Sequence, residues 1–171
     1  MNKARLIKRL KWYYPIEKFH AYVTFPALLL FLLFTNPVGD LILISYGLIV
    51  CIIILYQGQL YWKLKLERLT EKHINQAGNI RFFKKSKRFN WLLISGMIPV
   101  LLIQLYIQKW NFESNNMFYW GIFANVFAIL EHINYYYLQL MIDNKYDVEY
   151  LFKNKKLKKA SLAKDLIENK I

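Results

Sequence analysis

An all-α integral membrane bundle of four spanning helices, with both termini in the cytoplasm, is the fold this sequence predicts. Two observations carry that expectation. Residues 21–34, 41–62 and 90–108 contain no charged side chain, and an apolar run of about 18 or more residues is long enough to cross the hydrocarbon core of a bilayer. Of the 24 Lys and Arg, 23 fall in residues 1–18, 63–90 and 143–171, and only Lys109 lies elsewhere. Basic residues are retained on the side of the membrane where the chain is made. The expected spans are therefore about 19–35, 41–62, 90–109 and 117–142. They form one domain, 19–142, with a cytoplasmic loop at 63–89, between a basic interfacial segment (1–18) and a basic, helical tail (143–171).

Composition alone would allow a compact soluble domain, since 56% of the 171 residues are apolar. The continuous runs argue against it. The net charge of +13 reads as a nucleic-acid signal only until it is divided by side. The cytoplasmic stretches hold 23 basic and 8 acidic residues, whereas the outer connections hold Lys109, Asp40 and Glu113. Anionic headgroups account for such basic stretches, and nucleic acid is not an expected partner. The single Cys51 supplies neither a disulfide framework nor a metal site. Residues 35–39 offer no small-x-small cleavage site, so the basic start and first apolar run read as a retained span. The strong excess of Lys over Arg, with abundant Asn, Ile and Tyr, suggests an AT-rich bacterial genome, and hence a bacterial cytoplasmic (inner) membrane.

Along the chain, residues 3–14 mix cations with Leu6, Ile7, Leu10 and Trp12, the pattern of a short interfacial helix, which Pro15 is expected to end. Pro26 marks a kink in the first span. Asn36, Pro37, Gly39 and Asp40 make a tight turn. The second helix is expected to continue past Tyr61 and Trp62 to about Thr70, and Gln76, Ala77, Gly78 and Asn79 to break it. Arg81, Lys84, Lys85, Lys87 and Arg88, beside Phe82 and Phe83, read as a headgroup-binding segment, as do Lys155, Lys156, Lys158 and Lys159 in the tail.

The fourth span is the informative one. At 100° per residue, Gly121, Ala124, Asn125, Ala128, Glu131, His132, Tyr135, Tyr136, Gln139 and Asp143 fall within an arc of roughly 140°. The opposite face carries large apolar residues, among them Phe123, Val126, Ile129 and Leu130. Small residues let helices approach closely and polar ones need protein partners in lipid, so the arc should face the bundle. Glu131 lies about 18 Å before Asp143 along an ideal helix, deep enough that it must be paired, protonated or in contact with water. The expected site is a polar cluster of Glu131, His132, Tyr135, Gln139 and Asn125 with Gln57 of span two. Its simplest use is to fix helix register through hydrogen bonds. A proton or ion path, a small-ligand pocket, or catalysis are the alternatives.

Enzyme signatures are weak. The histidines at 20, 73 and 132 lack the clustered spacing of a membrane di-metal site. Neither a nucleophile elbow nor a phosphate-cradling glycine loop occurs. Asp143, Asn144 and Asp147 lack the glycine turn and terminal Glu of a calcium loop. No metal and no cofactor are expected.

Three stretches resemble a known group. Residues 131–140 with Asp143 and Asn144, residues 87–91, and residues 158–166 are similar to those of small four-span bacterial membrane proteins labelled general stress proteins. The resemblance implies no reaction, cofactor or site residue. The function expected is that of a non-enzymatic accessory, stress or interaction protein, possible partners being the anionic bilayer, a second copy and a cytoplasmic protein. A small proton or ion conductor using Glu131, and then a lipid-acting enzyme, are the alternatives.

Overall fold

A computed structural model describes residues 3–71, 75–111, 116–142 and 144–171. The protein is all-helical over these residues. Helix α1 runs Lys3–Thr35, α2 Val38–Leu69, α3 Gln76–Ile107, α4 Asn116–Tyr136, α5 Lys145–Asn154 and α6 Ser161–Ile167. Among the described residues, α1, α2 and α3 are long and apolar enough to cross a membrane. Helix α2 is the hub, packed against α1, α3 and α4. Its buried residues Leu41, Ile44, Leu48, Cys51, Ile54 and Leu55 supply much of the core.

Helix α1 does not stop at Pro15. The helix continues through it to Phe19, widens into a π-helical turn at His20–Thr24, and carries on to Thr35. The wide turn has a local cause. Pro26 has no N–H to donate to the preceding turn, and at Phe25 the N–H bonds to the His20 carbonyl, five residues back. The cationic start and the first apolar segment are thus one rod, not an interfacial helix followed by a span.

Helices α2 and α4 meet closely because both present small residues. A side chain carbon at Gly47 would lie 2.8 Å from the backbone nitrogen of Asn125, and one at Gly58 would overlap the Tyr135 ring. Gly121, Ala124 and Ala128 of α4 are buried against this surface, whereas Phe123 and Val126 are exposed. Ile129, expected on the far face, is half-buried against the core.

The chain between α2 and α3 breaks where expected, but Gln76 begins a helix instead of ending one. Asn75 caps it, accepting from the Gly78 N–H at 3.0 Å. Phe83, Ser86, Asn90, Met97 and Gln104 form the buried face of α3, so residues 81–88 belong to the start of this long helix.

Helix α4 ends at Tyr136, short of Ile142. The Tyr137 and Leu138 N–H groups both bond to the Ile133 carbonyl, and Asn134 Oδ1 accepts from the N–H of Leu140 and Met141. Residues 137–139 pair instead with the tail, through Gln139 N to Lys158 O at 2.8 Å and Ala160 N to Tyr137 O at 3.0 Å. A Lys3–Glu71 ion pair at 3.0 Å, an Arg5–Tyr146 hydrogen bond and the packing of α6 on α2 and α3 gather the three basic stretches at one end of the bundle.

Candidate functional site

The polar residues of α4 divide between two flanks instead of forming one cluster. On the α3 side, Gln57 Nε2 donates to Asn90 Oδ1 at 2.9 Å, and Asn90 Nδ2 donates to Gln57 Oε1 at 2.8 Å. Tyr136 donates to the same Gln57 oxygen at 2.7 Å. Asn90 Nδ2 also lies 3.3 Å from His132 Nδ1. All four side chains are buried. Buried amides bonded to each other in this reciprocal way fix the register of three helices at once.

Glu131 and Tyr135 lie on the other flank, toward α1. One residue around a helix is a 100° turn, so Glu131 cannot share His132's neighbours. Instead Glu131 is within electrostatic reach of Glu17 of α1 and of Cys51, and sits 3.5 Å from Asn134. Glu17 is 8% exposed and faces Tyr135, Tyr13 and His20. With α4 ending at Tyr136, Glu131 stands about 7.5 Å from the end of its helix, not about 18 Å.

Two predicted members fall outside both flanks. Asn125 donates to the Leu43 and Gly121 carbonyls, both at 2.8 Å. Gln139 has left the helix and donates to Met141 O and Asp147 Oδ2, both at 2.9 Å. Asp143 lies outside the described residues. Sequence reasoning missed Asn90, Glu17 and Gln104. The signal for Asn90 and Gln104 was available, because they recur with Phe83 and Met97 at heptad spacing on one face of α3. Gln104 bridges the start of α2, accepting from Leu43 N at 3.1 Å and donating to Gly39 O at 2.8 Å.

The end of the bundle where the basic stretches gather carries a third, ionic constellation. Asp165 of α6 accepts from Tyr61 at 2.7 Å and from Lys65 at 3.0 Å, with Arg68 at 3.3 Å. The Ser161 hydroxyl lies 2.8 Å from the Tyr61 hydroxyl and accepts from Lys65. Burial pushes the Lys65 ammonium below its ordinary value, and the Asp165 carboxylate opposes that fall. Of the predicted headgroup ligands, Arg81, Lys84, Lys85, Arg88, Lys155, Lys156 and Lys159 are exposed. Lys87 is folded over the Tyr137 ring at 3.9 Å, and Lys158 is paired with Asp147 at 2.6 Å.

A cavity of about 550 Å³ opens beside this end. Helix α1 forms one wall with Leu6, Leu10 and Tyr13, and sets Arg5 and Arg9 beside them. Trp62, Tyr135 and Met141 close the other side. Arg5 Nη1 donates to the Tyr146 hydroxyl at 2.9 Å, and the Tyr13 hydroxyl meets Met141 Sδ at 2.9 Å. Asp147, the one carboxylate among the described residues of the lining, is held by Lys158, by Gln139 and by Asn144 Nδ2 at 2.6 Å. Among the described residues no three His, Cys, Asp or Glu side chains converge as a metal site.

Compared with protein-family models, characterised proteins and solved structures, the chain has no significant match.

Proposed function

We propose that the chain is a non-enzymatic, four-span protein of the bacterial cytoplasmic membrane, both termini cytoplasmic, that works as an accessory or stress-related interaction protein. The observation that carries this reading is the mutual engagement of the interior polar groups. Gln57, Asn90, His132 and Tyr136 bond to one another as register-setting groups do, and the exposed basic residues of the same bundle suit an anionic inner leaflet. Large apolar side chains such as Phe31, Phe34, Leu92, Ile98 and Phe123 are exposed around the helices, where lipid would cover them.

A second reading has its own observation. Glu17 and Glu131 approach each other between α1 and α4, with Tyr135 and His20 beside them, a set that could pass a proton. Purified protein in vesicles carrying an internal pH dye separates the two. A register-setting bundle should leave proton flux at the level of protein-free vesicles. Flux above that level which disappears in Glu131→Gln would replace the accessory reading with proton conduction.

A further inference from the structure

We propose that the pocket between the start of α3, the end of α4 and the tail holds an anionic phospholipid with two phosphates in its headgroup, of the diphosphatidylglycerol class. The pocket, of about 770 Å³, is lined by two pairs of lysines, Lys84 and Lys87 of α3 and Lys156 and Lys159 of the tail. Among the described residues of its lining no side chain is acidic. Carboxylates of the tail pair elsewhere: Asp147 with Lys158, Glu149 with Lys145, and Asp165 with Lys65 and Arg68.

Both pairs are positioned by neutral groups. Gln139 N bonds to Lys158 O and Ala160 N to Tyr137 O, which pins the tail beside the end of α4. Neighbouring side chains of an extended segment point to opposite sides, so Lys158 turns to Asp147 and Lys159 to the pocket. On the α3 wall, Lys87 Nζ lies 3.9 Å from the centre of the Tyr137 ring, and Lys84 Nζ donates to Asn169 Oδ1 at 3.3 Å. A ring and an amide orient an ammonium without cancelling its charge. One phosphate for each pair matches this arrangement, and basic pockets at the ends of membrane helices suit lipid headgroups.

The acyl chains have a path as well. Leu138 and Ile167 line the pocket and are exposed. Beyond Lys87 on the same face of α3 come Trp91 and Ile98, both exposed. Trp91 Nε1 donates to the Tyr137 hydroxyl at 2.8 Å, as an aromatic side chain at the boundary between headgroup and hydrocarbon would. A soluble polyphosphate would make no use of this apolar continuation.

The site rests on the bilayer reading proposed above only for the source of its ligand. Binding in detergent depends on neither span count nor sidedness, so a topology result against that reading would leave the binding result standing. The full chain purified in a maltoside detergent is titrated with tetraoleoyl cardiolipin, and retained lipid is counted by native mass spectrometry. One molecule should be retained, and dioleoyl phosphatidylglycerol, with a single phosphate, should bind at least about tenfold more weakly. Lys84→Gln/Lys87→Gln and Lys156→Gln/Lys159→Gln should each bring cardiolipin down to the level of phosphatidylglycerol. Lys8→Gln/Lys11→Gln, which removes equal charge from exposed positions of α1, should bind as the parent does. Pyrophosphate at millimolar concentration should fail to displace the lipid. Equal binding of the two lipids by the parent, parental retention by either pocket variant, or loss in the Lys8/Lys11 variant would overturn the site. Displacement by pyrophosphate would overturn the lipid in favour of a soluble polyanion.

Discussion

Lys65 and Asp165 show how much a single buried charge decides here. Their side chains are only 10% and 11% exposed, and Tyr61 and Ser161 close the ring around them. Removing one partner of a buried pair leaves an uncompensated charge and costs about 3 kcal/mol or more. Asp165→Asn should therefore release α6 from the end of α2, read as lost amide-exchange protection over residues 161–167 with the α2–α4 core unchanged. The double change Lys65→Met/Asp165→Leu removes both charges and should restore most of that protection. The pH dependence has a fixed sign. Burial lowers the Lys65 value below its ordinary 10.5, so between the two the unfolded chain binds more protons than the folded one, and docking strengthens as pH rises. Asp165→Asn lowers the Lys65 value further and widens that window, so protection factors in the variant should recover in part toward alkaline pH. Protection in Asp165→Asn equal to the parent's at neutral pH would mean that apolar contacts of Leu162 and Leu166, not the ionic ring, hold α6.

At the scale of elements, the sequence was most legible where one period governed and least where chemistry from elsewhere intervened. The face of α4 carrying Gly121, Ala124, Asn125, Ala128, His132 and Tyr135 is buried, as its 100° periodicity requires. The end of α4 was not legible, because no Gly or Pro marks it. Asn134 and the tail's backbone at Lys158 and Ala160 stop the helix, and neither is a local signal. That early stop removed Gln139 from the expected cluster and brought Glu131 close to the helix end. The passage of α1 through Pro15 was missed for a related reason: packing of Leu10, Glu17 and Ala21 into the bundle outweighs one lost hydrogen bond. Close approach of α2 and α4 gives a direct test. Ala128 is fully buried, and Val126 is 47% exposed. Ala128→Phe should destabilise the bundle by about 1–3 kcal/mol through overpacking, whereas Val126→Phe should lie within about 0.5 kcal/mol of the parent. Detergent-resistant unfolding followed by circular dichroism reads both, and equal tolerance would mean that the small-residue face is not what joins these helices.

For the whole molecule, the proposed membrane placement depends on how many helices can serve as spans. Among the described residues three helices meet the length and hydropathy of a span, and three crossings would put the tail opposite the N-terminus. The contacts of α4 argue for a fourth. Asn125 bonds to Leu43 near the start of α2, Tyr135 packs on Gly58 far along it, and α6 then docks on Tyr61, Lys65 and Arg68. Helix α4 therefore runs parallel to α2 over most of its apolar length, and its 21 residues measure about 31 Å, close to the thickness of a hydrocarbon core. The tail is returned to the end of the bundle where Lys3 meets Glu71. A reporter fused after Lys170 should thus behave as cytoplasmic, and one inserted at Ser114 as external. Orientation should survive Lys155→Gln/Lys156→Gln/Lys159→Gln, since the stretch 63–90 still holds nine basic residues and sidedness follows the sum of such charges. Lys158 is left out of that set because its ion pair with Asp147 holds the tail itself. Alkaline phosphatase is active only after export. Its activity at the C-terminus would require an odd number of crossings, and would mean that α6 cannot dock on α2 in the membrane as it does in this fold.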